Sequence, residues 1–354
     1  MGPAVNDERP GPDEDDRRRK HARLVSLLEA RGAGTIVLRS AAAVSWYLDG
    51  SRVHVSLAAD PIVAVVVSPG DAWLVATSNE VDRLQAEELP DIRVRTVPWH
   101  TPIDTVLPSG DGVLQEADVA AELRAARASL LPAELSRFRS LGRATTSALE
   151  TLVDEVAPDW TEREVAADLA GRLVAAGIDP LVLLVAGEHR LAHRHPLPTE
   201  GRLGSRAMVV ACGRRDGLIV NLTRWFDEGG TPAEPFTTGM QRIRAVERAY
   251  LDATVPGASL ADILRTGSAA YAEQGFDAEE WTKHHQGGAA GYAGRDPRAT
   301  PEASDVVQPW QAFAWNPTAP GVKVEDTVVV TPDGVEVLTT SSASTHQIPS
   351  TVGG

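Results

Sequence analysis

The chain has 354 residues, 43% hydrophobic and 23% charged, with a formal net charge of −15. That length supports two domains with cores of their own, and the acidic balance excludes nucleic acid and anionic membrane as main partners. A single cysteine, Cys212, excludes an internal disulfide framework, and the absence of any apolar run of membrane-span or signal-peptide character points to a cytoplasmic protein.

In chain order, residues 1–22 are Pro, Asp, Glu and Arg without periodicity and are expected to form a disordered tail. A helix is expected from Arg23, on the spacing of Leu24, Leu27 and Leu28, followed by a strand over Thr35-Ile-Val-Leu38. Ile62 to Val67 and Trp73 to Ala76 read as a hairpin joined across Ser68-Pro-Gly-Asp71. Arg93 to Val97 and Gly112 to Gln115 add short strands, which makes residues 23–130 an α/β domain.

Residues 131–340 carry an internal repeat. A helix from Ala133 to Val153 presents Leu135, Phe138, Leu141, Thr145, Leu149 and Leu152 on one face. Thr161 with Glu164 three residues on is a capping box opening a second helix, which Ala175-Ala-Gly177 closes. Strands follow at Met208 to Cys212 and Leu218 to Leu222. The order recurs with a helix at Met240 to Ala253, another opened by Pro256-Gly-Ala-Ser259, and strands at Gln311 to Trp315 and Val324 to Val330. Pro158 and Pro256 lie 98 residues apart, as do Thr161 and Ser259. Two such units in tandem imply a pseudo-symmetric domain with a ligand site between its halves. Residues 341–354 are expected to be a flexible tail.

The run Trp281-Thr-Lys-His-His-Gln-Gly-Gly-Ala-Ala-Gly-Tyr292 sets two histidines, a lysine and a glutamine beside small residues, so backbone and imidazoles can approach one ligand closely. It resembles the His-Gly-rich segment of the creatinase/prolidase/aminopeptidase P group, the pita-bread metallopeptidases. Tyr47-Leu-Asp-Gly50, His195-Pro-Leu-Pro-Thr199, Asn221-Leu-Thr-Arg224, Trp315-Asn-Pro317 and Val322-Lys-Val-Glu-Asp-Thr-Val328 extend the resemblance over almost all of the chain. It implies an α/β (α+β) architecture, a creatinase-like first domain ahead of a pita-bread second domain. It also implies a homodimer in which the first domain of one copy closes the partner's site.

At the positions where that group holds two divalent ions, this chain has departed from it. Asn221 and Asn316 stand for two carboxylates, Ala211 or Cys212 for a third, and Gly288 for the metal histidine; Glu325 alone is kept. Asparagine keeps the shape and a carbonyl oxygen but not the charge that repays stripping water from a cation. The expectation is therefore no metal and no cofactor. The alternative is a site built differently from His195, His284 and His285, since three imidazoles can bind zinc.

The resemblance makes His195 the acid/base, with His284 and Glu325 as catalytic partners. Its bland alternative is a histidine solvating a proline-rich loop, and His189 and His193 read as surface residues. Asn221, Arg224, His285, Gln286, Asn316 and Lys323 are candidate substrate-binding groups. Arg224 and Lys323 suit a substrate carboxylate or an ion pair with Glu325, Asp326 or Asp227, and Glu325 itself is open to a carboxyl raised by burial. Cys212 reads as nucleophile or simple core, and the tryptophans mostly as core. The expected function is a metal-independent, creatinase-like enzyme cleaving or rearranging a C–N bond of a small polar nitrogenous substrate. The alternatives are a non-catalytic ligand- or protein-binding member of the fold, and an Xaa-Pro-type metallopeptidase with unorthodox ligands.

Overall fold

The computed structural model describes residues 14–89, 91–229 and 234–340, and the backbone of 346–349. The chain divides into two compact units. One runs up to Arg137 and takes in Asp216–Leu218; the other holds Phe138–Arg215 and the chain from Ile219 onward.

The first unit opens on α1 (Glu14–Arg31). This helix begins at Glu14 rather than Arg23, so the expected tail is helical from Glu14 to Ala22; residues 1–13 of that expectation lie outside the described residues. The physical reason is pairing that local composition does not reveal. Lys20 is fully buried, bonded to Asp49 and 2.9 Å from Glu134, while buried Asp16 accepts from the Ala133 N–H. Leu24, Leu27 and Leu28 complete the inward face.

Five strands follow: β1 (Thr35–Leu38), β2 (Val63–Ser68), β3 (Asp71–Thr77), β4 (Val94–Val97) and β5 (Val113–Gln115). They lie in the order β4-β3-β2-β1-β5, with β1–β5 and β3–β4 parallel and the others antiparallel. The β2–β3 hairpin turns at Ser68↔Asp71, as its turn residues require. Helices α2 (Ala41–Tyr47), α3 (Val81–Arg83) and α4 (Ala120–Ala128) complete the unit. The chain leaves α2 through Asp49 and Gly50, both at positive φ; a Cβ on Gly50 would lie 2.2 Å from the Asp216 carbonyl oxygen. Trp46 is core, but Trp99 stands 72% exposed, against the expectation for the tryptophans.

From α5 (Pro132–Glu155) the repeated order is realised. Helix α6 (Glu162–Ala175) is capped by Thr161, whose hydroxyl accepts from Glu164 N–H, and leads to β6 (Asp179–Gly187), β7 (Arg206–Arg215) and β8 (Leu218–Asp227). Helix α7 (Phe236–Ala253) is followed by α8 (Leu260–Glu273), capped by Ser259 through Asp262 N–H. Then come β9 (Gly287–Ala290), β10 (Ala312–Trp315), the short pair β11 (Thr318–Ala319) and β12 (Val322–Lys323), β13 (Asp326–Thr331), β14 (Gly334–Val337) and β15 (His346–Pro349). Both capped helices have 14 residues, each in the same place in its half. Strand β6 went unread because Leu181 to Val185 is an unbroken apolar run with no alternation to identify it. Most of the expected C-terminal tail lies outside the described residues, and His346–Pro349 pairs with β14.

The sheets run β6-β7-β8 and β15-β14-β13-β10-β9. They join where Ile219 N–H donates to Gly291 O (2.8 Å) and Thr223 N–H to Glu325 O (3.0 Å). Helices α7 and α8 close one side with Ile243, Val246, Tyr250, Ile263 and Tyr271, all buried against Phe313 and Trp315. Apolar burial of this extent is the main force holding the halves in register. Both units mix helix and sheet, as expected for an α/β protein.

Candidate functional site

Side chains alternate along β8, so Asn221 and Thr223 share one face and Arg224 points to the other. Thr223 Oγ1 donates to Glu325 Oε2 (3.1 Å), which places Glu325 on the Asn221 face of the join. His195 reaches the same region from the loop after β6. Its neighbour Arg194 bonds Glu280 and Thr318 Oγ1 (3.0 Å), and Val185 N–H donates to Pro196 O (3.1 Å). His284 and His285 end the turn that leads into β9.

The three imidazoles converge. His195 Nε2 and His284 Nε2 are 3.1 Å apart, His284 and His285 stack with ring centroids 4.4 Å apart, and one nitrogen of each lies within 4.8 Å of the others. Both members of the pair therefore belong to the cluster. His195 is exposed, His285 half-buried and His284 buried. Burial, the neighbouring imidazoles and Lys323 hold His284 down to about 3; burial and Arg295 with Arg298 hold His285 down to about 4. Burial and Lys323 lower His195 as well. His284 and His285 are thus neutral at neutral pH.

Glu325 sits between cations. Arg295 contacts one carboxylate oxygen at 2.7 Å and Lys323 the other at 2.8 Å. Burial alone would raise this carboxyl, but Lys323 and Arg295 outweigh it and hold it at about 2. The option of a raised, proton-donating Glu325 is therefore corrected: it is a fixed counter-ion. Arg295 escaped sequence reading. Its only signal was position, ten residues beyond His285 and just after a small-residue segment.

Two other expected roles change. Gln286 is buried with its amide engaged by protein: Nε2 donates to Trp281 O (2.9 Å) and His284 O (2.7 Å), while Tyr271 OH donates to Oε1 (2.8 Å). It pins the histidine turn rather than facing a substrate. Arg224 lies on the opposite face, bonded to Glu150 (2.9 Å), Asp326 (3.0 Å) and the Thr339 carbonyl (2.7 Å), so it braces the sheet. A cavity of about 940 Å³ is lined there by Arg224, Arg244, Glu247 and Asp326; it meets the centre at Lys323 and Glu325 and touches none of the three histidines. Asn221 and Asn316 are buried, with Asn221 Nδ2 and Asn316 Oδ1 lacking any protein partner.

Cys212 is also near. Burial, then the charge of Glu325, pushes its thiol up to about 12, so it is neither a thiolate nucleophile nor a thiolate ligand at neutral pH.

The region from residue 136 to 332 matches the model of metallopeptidase family M24, and the chain belongs to that family. No curated protein sequence matches the chain. Among solved structures it is similar to the dipeptidase PepE of Mycobacterium ulcerans (20% identity, 96% of this chain and 99% of that one, TM-score 0.76). It is similar also to the prolidase of Pyrococcus horikoshii (17%, 91% and 98%, TM-score 0.74) and the Xaa-Pro dipeptidase of Bacillus anthracis (16%, 94% and 100%, TM-score 0.70). The pita-bread fold is thereby shown, together with a family of hydrolytic enzymes.

The family implies a divalent metal, and the residues present do not fit the family's metal pair. Asn221 and Asn316, which the sequence resemblance sets against two of the family's carboxylates, are buried uncharged amides, and Glu325 is paired with cations on both sides. Position 288 cannot accept a side chain: Gly288 has φ +145°, and a Cβ there would lie 2.4 Å from Pro297 O. A single ion on the three histidines would need movement. At a zinc–nitrogen distance of about 2.1 Å, two ligand nitrogens can be at most about 4.2 Å apart, less than the present spread of up to 4.8 Å.

Proposed function

We propose that this chain is a hydrolase-type enzyme of the family that works without the metal pair, cleaving a C–N bond of a small polar nitrogenous substrate with His195 and His284 as acid and base. The observation that carries the reading is the 3.1 Å approach of their Nε2 atoms beside a centre without a free carboxylate. Between two neutral imidazoles at that distance one nitrogen carries the proton and the other the lone pair, so the pair offers a base and an acid at once. In hydrolysis the unprotonated imidazole takes a proton from water, whose oxygen bonds to the carbon. The C–N bond breaks, and the other imidazole protonates the departing nitrogen. Asn316 Oδ1 and Asn221 Nδ2 offer a planar substrate one acceptor and one donor.

The test is turnover of a panel of small amides, ureas and guanidino compounds with and without chelator. Activity is expected to be indifferent to chelator and to fall about 100-fold or more in His195→Ala. Full activity in that variant removes the proposal.

The Xaa-Pro-type metallopeptidase reading keeps a place because the family is a metallopeptidase family and three largely neutral imidazoles converge on one point. Stoichiometric metal in protein purified without added ions would favour it. A homodimer, with the first unit of one copy near the partner's site, belongs to the same proposal; sedimentation at working concentration tests it. Among the described residues no helix is long and apolar enough to cross a membrane.

A further inference from the structure

Arg295 and Lys323 are both buried at their side chains, and among the described residues Glu325 is the one carboxylate paired with either. Two cations to one carboxylate leave a local excess of positive charge on buried side chains, an arrangement that favours entry of a counter-ion. The imidazoles do not supply it, being neutral or cationic. Buried donors with no protein acceptor stand beside it: Asn221 Nδ2 and Arg295 Nε. They belong to one neighbourhood. A Cβ on Gly294, next to Arg295, would lie 3.9 Å from Asn221 Oδ1, and Thr223, on the face of Asn221, donates to Glu325.

We propose that this centre binds an anion: the carboxylate of the substrate, or an oxyanion of like shape, lies against Arg295 and Lys323 and accepts hydrogen bonds from Asn221 Nδ2 and Arg295 Nε. The inference rests on the metal-free reading of the site and narrows its substrate class to a small acid whose nitrogen lies within reach of His195 and His284. The charge of the centre is thus inverted. Where the family resemblance places carboxylates gripping cations, this chain sets two cations against one carboxylate. A guanidinium or ammonium group would be repelled from the same place, and a free amide would leave the charge uncompensated.

Crystals of the full chain soaked in sodium bromide give a direct test that needs no variant. An anomalous peak in contact with Arg295 and Asn221 is expected; a map with no bromide there overturns the proposal. In solution, acetate and inorganic phosphate are titrated against guanidinium and methylammonium by thermal shift. Saturable stabilisation by acetate is expected, weakened about tenfold or more in Arg295→Gln and in Lys323→Met, and unchanged in Arg265→Gln on the surface of α8. Stabilisation by phosphate with none by acetate assigns the centre to a tetrahedral oxyanion and still supports an anion site. Stabilisation by guanidinium instead, or equal acetate affinity in Arg295→Gln, overturns it. The underlying reading fails separately. Zinc found on the histidines with acetate still held at Arg295 leaves the anion site standing and removes the metal-free mechanism. Chelator-indifferent turnover that requires His195, in a protein that binds no anion, does the reverse.

Discussion

Burial, His285 and Lys323 hold the His284 imidazole down to about 3, against 6.5 for the unperturbed group. Between those values the unfolded chain carries a proton that the folded chain does not, so folding stability rises with pH across that window and is complete above it. Stability should fall by on the order of a few kcal/mol as pH drops from about 6.5 toward 3. Urea midpoints of wild type and His284→Asn at pH 7.5 and pH 5 measure it; parallel behaviour of the two proteins would remove the assignment. The same depression should carry His-dependent turnover to pH values below the usual histidine range. Gly288 gives a second expectation at this scale. Placing a histidine there should not create a metal site, because backbone occupies the space its Cβ needs and φ +145° resists any side chain. Gly288→His is expected to lose about 2 kcal/mol or more and to gain no zinc affinity in a competition titration.

At the scale of elements, α1 and the two capped helices are informative in opposite ways. Lys20 lies in what composition alone marks as a tail, yet it is fully buried between Asp49 and Glu134. Lys20→Ala leaves both carboxylates without it and should cost about 3–5 kcal/mol; a cost below about 1 kcal/mol in urea denaturation would mean the pairs do little. The 98-residue repeat, by contrast, was legible because caps are local chemistry: Thr161 with Glu164, Ser259 with Asp262. Thr161→Ala and Ser259→Ala should each cost about 1 kcal/mol, and nearly additively, since the two caps share no partner. The turn of the β2–β3 hairpin was legible for the same reason. The unbroken apolar run of β6 was not, because strand and helix bury such runs alike.

Over the whole molecule, the protein is acidic yet its centre is cationic. The chain carries a net −15, while Arg295, Lys323 and Glu325 sum to a positive charge beneath three imidazoles, two of them held neutral. Apolar packing and the join through Ile219, Asn221 and Thr223 hold the halves of the second unit together, and on the proposed metal-free reading no ion adds to them. Chelator should therefore leave the melting temperature unchanged, as read by scanning calorimetry, whereas a metal bound only to the folded state would shift it.

What the sequence determined by itself was whatever depends on neighbours along the chain: periodicity, caps, turns and the presence of amides at Asn221 and Asn316. Those features suffice for the fold, and the family resemblance they carry made His195, His284 and Glu325 the candidates that the proposal uses. Only the tertiary structure decided which way each group faces and what opposes it. Arg224 and Asn221 are three residues apart on one strand, yet the pleat sends them to opposite faces. Gln286 looks like a ligand group until Tyr271 and two carbonyls claim its amide, and Arg295 looks like any arginine until it meets Glu325. Pairing across roughly a hundred residues, or thirty, leaves no mark in local composition, because desolvation and Coulomb energy depend on distance in space and not on separation along the chain.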